Sequence, residues 1–181
     1  MCGIAGIISP LSQADLSARD GRDIQTMAGQ LAHRGPDGAG FWHNPAQNIH
    51  FGHRRLAVID TSEAAAQPMH YRNRLTIVYN GELYNYPELR STLQALGHQF
   101  QTASDTEVIL AAFDQYREDC LQYFDGMFAL AIWDEQAQRL FLARDRFGEK
   151  PLYFHEDRGL IDLSFLYQLN NIIDHQLHHG L

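Results

Sequence analysis

The sequence is poor in lysine, in cysteine and in long apolar runs. Lys150 is the one lysine among 14 basic residues, and the arginines are scattered, with Arg54 beside Arg55 and Arg144 near Arg146 as the tight groups. Against 22 acidic residues this leaves a formal net charge of −8. A phosphate backbone is bound through a clustered basic surface, so nucleic acid is excluded as a partner. Two cysteines, Cys2 and Cys120, are too few for a disulfide framework and point to a reducing compartment, the cytoplasm. No run of about 18 apolar residues is present, so no membrane span is expected. No lysine or arginine precedes the apolar residues 3–8, so no secretory signal is expected either.

What is present is ordinary for a folded domain: 181 residues, 45% of them hydrophobic. Residues 2–9 are short, apolar and rich in Ile, and read as a buried strand ended by Pro10. Ile24, Met27, Ala28 and Leu31 have helical spacing, and the Gly35-Pro36-Asp37-Gly38 turn stops that helix. Strand-like runs follow at 40–43, 49–59 and 75–79. Asn85-Tyr86-Pro87 opens a helix striped by Leu89, Leu93 and Leu96, with Gly97 as its stop. Ser104-Asp105-Thr106-Glu107 has the form of a capping box before a helix over 108–116. Residues 128–133 and 139–143 read as a hairpin, and 151–154 as a further strand. Runs of strands separated from runs of helices, without strict alternation, indicate an α+β layered domain.

Cys2 carries the sharpest chemical signal. Removal of Met1 would leave a thiol and an α-amine on one residue, and an α-amine titrates at about 7.7–8.0, so part of it is a free base near neutral pH. Such a residue supplies its own nucleophile and its own base. Taken alone, Cys2 reads better as a small buried strand residue than as a nucleophile.

The wider context resembles a known family. Met1-Cys2-Gly3-Ile4-Ala5-Gly6 resembles the opening of class II glutamine amidotransferases, which are N-terminal nucleophile hydrolases. His33-Arg34-Gly35-Pro36-Asp37 narrows the resemblance to the glutamine-hydrolysing asparagine synthetase branch, a ligase family. Arg55-Leu56-Ala57-Val58-Ile59-Asp60, Gln67-Pro68, Asn80-Gly81-Glu82-Leu83-Tyr84-Asn85, Ser104-Asp105-Thr106-Glu107, Asp125-Gly126-Met127-Phe128-Ala129 and the segment from Arg144 to Tyr153 follow in the family's order.

The resemblance implies a four-layer αββα sandwich of two antiparallel sheets, with Cys2 at the end of a central strand. It implies that Cys2 attacks the side-chain amide of L-glutamine, giving a glutamyl thioester, ammonia and then glutamate. Asn80 and the backbone N–H of Gly81 would be the oxyanion donors. Without the family, Asn80-Gly81 would suggest a hairpin turn. Arg55 matches the clamp on the α-carboxylate, a task suited to a planar guanidinium. Leu56, Ala57, Val58 and Ile59 match a strand lining the glutamine site. Asp105 matches the acceptor of the α-ammonium, with Glu82 nearby; as residues alone, Ser104-Asp105 equally reads as a helix cap. Arg54 matches no family role and is read as solvent-facing. His33–Asp37 is read as a structural turn bracing the pocket.

The resemblance implies no cofactor and no metal for this domain, since ATP and Mg would belong to a synthetase domain. The Ser-Gly-Gly-x-Asp-Ser loop of that domain does not occur here. The domain is expected to span residues 2–160, followed by a divergent tail, 161–181, helical or frayed. His175, His178 and His179 lie there with Asp174 as the one nearby carboxylate, and are read as a frayed terminal helix rather than a metal site. The joint loss of motif and composition near Gly159 is expected to mark a truncation or a frameshift. The expected partners are L-glutamine and a synthetase domain or subunit that uses the ammonia to amidate an activated carboxylate. The rival readings are a non-catalytic remnant and an ammonia-supplying subunit of a separate synthetase.

Overall fold

The computed structural model describes residues 2–9, 14–157 and 160–164. Strand β1 (Gly3–Ile8) leads to helix α1 (Ala14–Gln30), then β2 (Gly38–His43), β3 (Ile49–Arg55), β4 (Met69–Tyr71) and β5 (Leu75–Leu83). Helices α2 (Tyr86–Ala95) and α3 (Asp105–Tyr116) follow, and β6 (Gly126–Asp134), β7 (Arg139–Arg144), β8 (Tyr153–Asp157) and β9 (Leu160–Ser164) complete the order. Short 3₁₀ turns cover Glu63–Ala65 and Arg117–Tyr123. Every described strand pair is antiparallel, in one sheet of order β2-β3-β1-β9-β8 and a second of order β4-β5-β6-β7.

Strand periodicity assembles the layers. Side chains alternate between the faces of a strand, so a strand buried on both faces reads as a continuous apolar run. On β1, Ile4 packs between the sheets while Ala5 and Ile7 face Ile24 and Met27 of α1 and Leu31 just beyond its end. On β5, Val78 points between the sheets while Leu75, Ile77, Tyr79 and Leu83 face the α2–α3 layer. On β6, Ala129, Ala131 and Trp133 point inward while Phe128, Leu130 and Ile132 face the helices. The result is helix, sheet, sheet, helix, the expected αββα order.

The helix starts differ in their chemistry. Ser104 caps α3, its hydroxyl accepting the Thr106 N–H at 3.1 Å. Glu107 does not close the capping box; its carboxylate instead accepts the backbone N–H groups of Gln101 and Thr102. Asn85 stands at the cap position of α2, yet its side chain bonds Tyr123 and Asp125 across the turn rather than the helix. At the far edge, Arg74 grips both Asp134 on β6 and Asp114 on α3, tying the second sheet to its helices.

Three sequence expectations change, and the hairpin alternative at Asn80-Gly81 is excluded. Asn80 and Gly81 do not form a hairpin turn: they lie inside β5, opposite Ala129 and Phe128 of β6. The strand expected over 49–59 ends at Arg55, and residues 56–59 leave the sheet as an irregular loop, because β2 offers its last pairing at Arg55. Val58 is accordingly 61% exposed despite its strand propensity. Arg54 does not face solvent: its guanidinium donates to the Ala28 carbonyl at 3.0 Å, satisfying an acceptor near the end of α1. Finally, residues 160–164 are a strand between β1 and β8, so sheet structure runs past the boundary expected at 160. The helical or frayed tail and its histidines lie, from residue 165 onward, outside the described residues.

Candidate active site

Strand parity also builds the site. Cys2 lies two residues before Ile4, His53 two after Phe51, and Asn80 two after Val78, so all three continue the inter-sheet face toward one end of the sandwich. There the sheets part around a cavity of about 180 Å³, a volume suited to an amino acid. Cys2, Arg55, Asn80, Gly81, Glu82, Asp105 and the loop residues Leu56, Ala57, Val58 and Ile59 all line it. The structure therefore places around one cavity every residue that the sequence assigned to catalysis or glutamine binding.

Cys2 sits half-buried at the head of β1. Its Sγ receives the Leu56 N–H at 3.4 Å and stands 3.5 Å from the Leu56 carbonyl. Burial pushes the thiol above its ordinary range, opposed by the Leu56 backbone and the Arg55 charge. A thiol held up in this way is protonated at neutral pH and needs a base before it can attack.

The 56–60 loop is pinned at both ends. The Ala57 N–H donates to Asp37 at 2.9 Å, which brings the His33–Asp37 turn under the pocket. Gly35 in that turn lies so close to β3 that a Cβ would stand 2.3 Å from the Arg54 carbonyl carbon. Asp60 accepts the Ser62 and Ala103 N–H groups, joining the loop to the start of α3. The Ser62 hydroxyl first, and then these N–H groups, hold its carboxyl below the ordinary range. Arg55 donates one N–H to the Asp60 carbonyl at 2.5 Å, and the residue lines the cavity.

Asn80 is 1% exposed, and its side-chain nitrogen is buried without a hydrogen-bond partner. Buried polar groups are nearly always paired, so an unpaired donor on a cavity wall is poised for a group that arrives there. At Gly81 a Cβ would meet the Met127 carbonyl oxygen at 2.2 Å, so only glycine lets β5 and β6 pass here. Asp105, at the first turn of α3, accepts from the Tyr79 hydroxyl at 2.9 Å and the Leu83 N–H at 3.1 Å. Burial raises its carboxyl, and the Leu83 N–H, the Tyr79 hydroxyl and the helix N–H groups work against that rise.

Sequence reasoning missed His53 and Tyr79, which line the same cavity. His53 is 1% exposed with neither ring nitrogen bonded, and burial pushes it down to about 4, so it is neutral at physiological pH. Its signal in the sequence was its place two residues before Arg55 on one strand face. Lys150 also lines the cavity, at the end of a loop organised by Asp145. That carboxylate accepts the N–H groups of Phe128, Phe147, Glu149 and Lys150. Among the described residues no three His, Cys, Asp or Glu side chains gather as a metal site.

A family model described as a glutamine amidotransferase domain matches residues 1–177. The chain belongs to this family. It is 41% identical over 170 residues to asparagine synthetase [glutamine-hydrolyzing] 3 of Bacillus subtilis, covering 92% of this chain and 26% of that protein. It is 43% identical over 157 residues to asparagine synthetase [glutamine-hydrolyzing] 1 of the same organism, covering 85% and 24%. The chain thus spans about a quarter of the length of these curated relatives. Among solved structures, the glutamine phosphoribosylpyrophosphate amidotransferase of B. subtilis shares the fold at a TM-score of 0.69 and 24% identity, over 90% of this chain and 41% of that one. Among the described residues no helix is long and apolar enough to cross a membrane.

Proposed function

We propose that this domain hydrolyses L-glutamine, with Cys2 as nucleophile. The observation that carries the reading is the convergence of Cys2 with a buried, unpartnered Asn80 amide, the Arg55 guanidinium and the Asp105 carboxylate on one small cavity. Once Met1 is removed, the α-amine of Cys2 takes the thiol proton. Sulfur then bonds the amide carbon. The oxyanion so formed is held by the Asn80 side chain and the Gly81 N–H. Collapse breaks the C–N bond, the leaving nitrogen takes the proton from the amine, and ammonia departs. Water, deprotonated by the same amine, attacks the thioester and releases glutamate. Arg55 pairs the α-carboxylate and Asp105 the α-ammonium, assisted by Glu82, while residues 56–59 wall the substrate.

This chemistry needs no cofactor, because one residue supplies both nucleophile and base. The ammonia serves a synthetase domain or subunit that amidates an activated carboxylate, aspartate in the asparagine synthetases, with ATP and Mg bound there. Two unpaired cysteines suit a cytoplasmic setting. The test is glutamate release from L-glutamine by protein whose N-terminal residue is confirmed as Cys2 by mass spectrometry. Release is expected to drop by several orders of magnitude in Cys2→Ala and in a form that retains Met1. Wild-type release by Cys2→Ala would overturn the assignment.

A further inference from the structure

The two oxygens of Asp105 stand in unlike surroundings. Oδ2 accepts two good hydrogen bonds, from the Tyr79 hydroxyl at 2.9 Å and the Leu83 N–H at 3.1 Å. Oδ1 has the Ser104 hydroxyl at 3.5 Å. Tyr79 and Asp105 are 2% and 4% exposed, and both line the cavity. Tyr79 is itself held in place beyond the last β4 pair, Met69 with Ile77. Its N–H donates to Gln67 Oε1 at 2.6 Å, and Gln67 Nε2 donates to the Thr106 hydroxyl at 3.3 Å, one residue past Asp105. The Gln67 side chain therefore ties β5 to the first turn of α3 at the level of the carboxylate.

We propose that Tyr79 is a positioning residue for amino-acid recognition, occupying Oδ2 of Asp105 so that Oδ1 is fixed as the oxygen that meets the α-ammonium of the substrate. This rests on the reading that Asp105 pairs that ammonium. The hydroxyl suits the task because the bond it donates to Oδ2 favours the ionised form of the carboxylate. Burial and the adjacent Asp105 charge hold the phenol well above its ordinary range, so it remains a donor throughout the working pH range. The other ionisable groups on this cavity wall are Cys2, His53, Arg55, Asp60, Glu82 and Lys150.

The test compares two ligands by calorimetry on Cys2→Ala protein, which binds without turnover. One ligand is L-glutamine. The other is 4-carbamoylbutanoate, which has hydrogen in place of the α-ammonium. Adding Tyr79→Phe is expected to weaken L-glutamine about fivefold to tenfold and to leave 4-carbamoylbutanoate within about twofold. In the active enzyme the same change is expected to raise KM while kcat stays within about twofold, and to move the acid limb of kcat/KM to higher pH. The ring fits the same apolar setting without its hydroxyl; should Phe fail to fold, Tyr79→Leu is expected to show the same ligand-selective loss. Equal weakening of both ligands, or none for L-glutamine, overturns the proposal. Asp105→Asn separates the two levels of the argument. Ligand discrimination lost in Asp105→Asn but kept in Tyr79→Phe defeats the role of Tyr79 alone. Discrimination kept in Asp105→Asn, or no binding of L-glutamine at all, defeats the reading of the site and this proposal with it.

Discussion

Replacing Asn80 by alanine should divide stability from activity in opposite directions. The Asn80 amide nitrogen is buried without a partner in the inter-sheet gap. An unsatisfied buried donor costs about 1–3 kcal/mol, whereas the packing lost on truncating a short polar side chain beside a cavity is small. The stability of Asn80→Ala is therefore expected to be unchanged or raised by up to about 2 kcal/mol. For a chain of this size each kcal/mol moves Tm by about 2–4 °C. Ile77→Ala, three positions earlier on β5 and fully buried, is the contrast: it leaves a cavity and should cost about 2–5 kcal/mol. Activity follows the reverse order. Removing one oxyanion donor lowers kcat by about 10²–10³, with little change in KM because the interaction forms only as charge develops. Thermal melts and glutamate release on the same protein preparations decide the matter. An Asn80→Ala protein that melts as low as Ile77→Ala, or that keeps more than about a tenth of wild-type kcat, refutes the view that Asn80 is held unpaired for the transition state.

Two further perturbations bear on the same corner. Gly81→Ala places a methyl 2.2 Å from the Met127 carbonyl, so β5 and β6 must separate; Tm should fall by the equivalent of about 1–3 kcal/mol, and kcat by about 10²-fold as Asn80 shifts, with near-normal kinetics as the refuting result. His53 is lowered to about 4 by burial. As a depressed histidine it imposes no penalty above its unfolded pKa of about 6.5, but as pH falls from there toward 4 the unfolded chain binds a proton that the folded one refuses, removing up to about 3 kcal/mol. His53→Gln should flatten that part of the stability–pH curve, read by urea melts between pH 7 and 4; an unchanged slope would assign the acid sensitivity elsewhere.

Local rules reached the fold where the signal was local. Apolar runs buried on both faces marked β1, β5 and β6, the Leu89–Leu93 stripe marked α2, and Ser104 marked the start of α3. They failed where a residue's fate depended on a distant partner. The 56–59 run has every property of a strand, yet β2 stops pairing at Arg55 and the chain turns away to wall the cavity. Arg54 looked like surface because nothing nearby in sequence announces the Ala28 carbonyl that it bonds. Asn80-Gly81 carried a turn signature, but β6 runs alongside both residues and keeps them in the sheet.

The site shows the same division more sharply. Motif resemblance collected Cys2, Arg55, Asn80, Gly81 and Asp105, because each has a group that substrate chemistry would demand. It could not collect Tyr79 or His53, whose side chains look like ordinary core. Strand parity explains why the two kinds of residue meet. Asn80 and Tyr79 are neighbours on β5 and must point to opposite faces, one toward Cys2 between the sheets and the other toward α3. At the open end of the sandwich the cavity reaches both faces, since β4 has ended and Gly81 has no side chain to close the gap. A single strand can thus place the proposed oxyanion donor on one side and a carboxylate-holding hydroxyl on the other, about one residue apart. On the proposed function, the spacing between the protein groups that meet the amide and the α-ammonium is then set by the strand itself. This makes β5, rather than the exposed 56–59 loop, the element whose distortion should cost recognition and catalysis together.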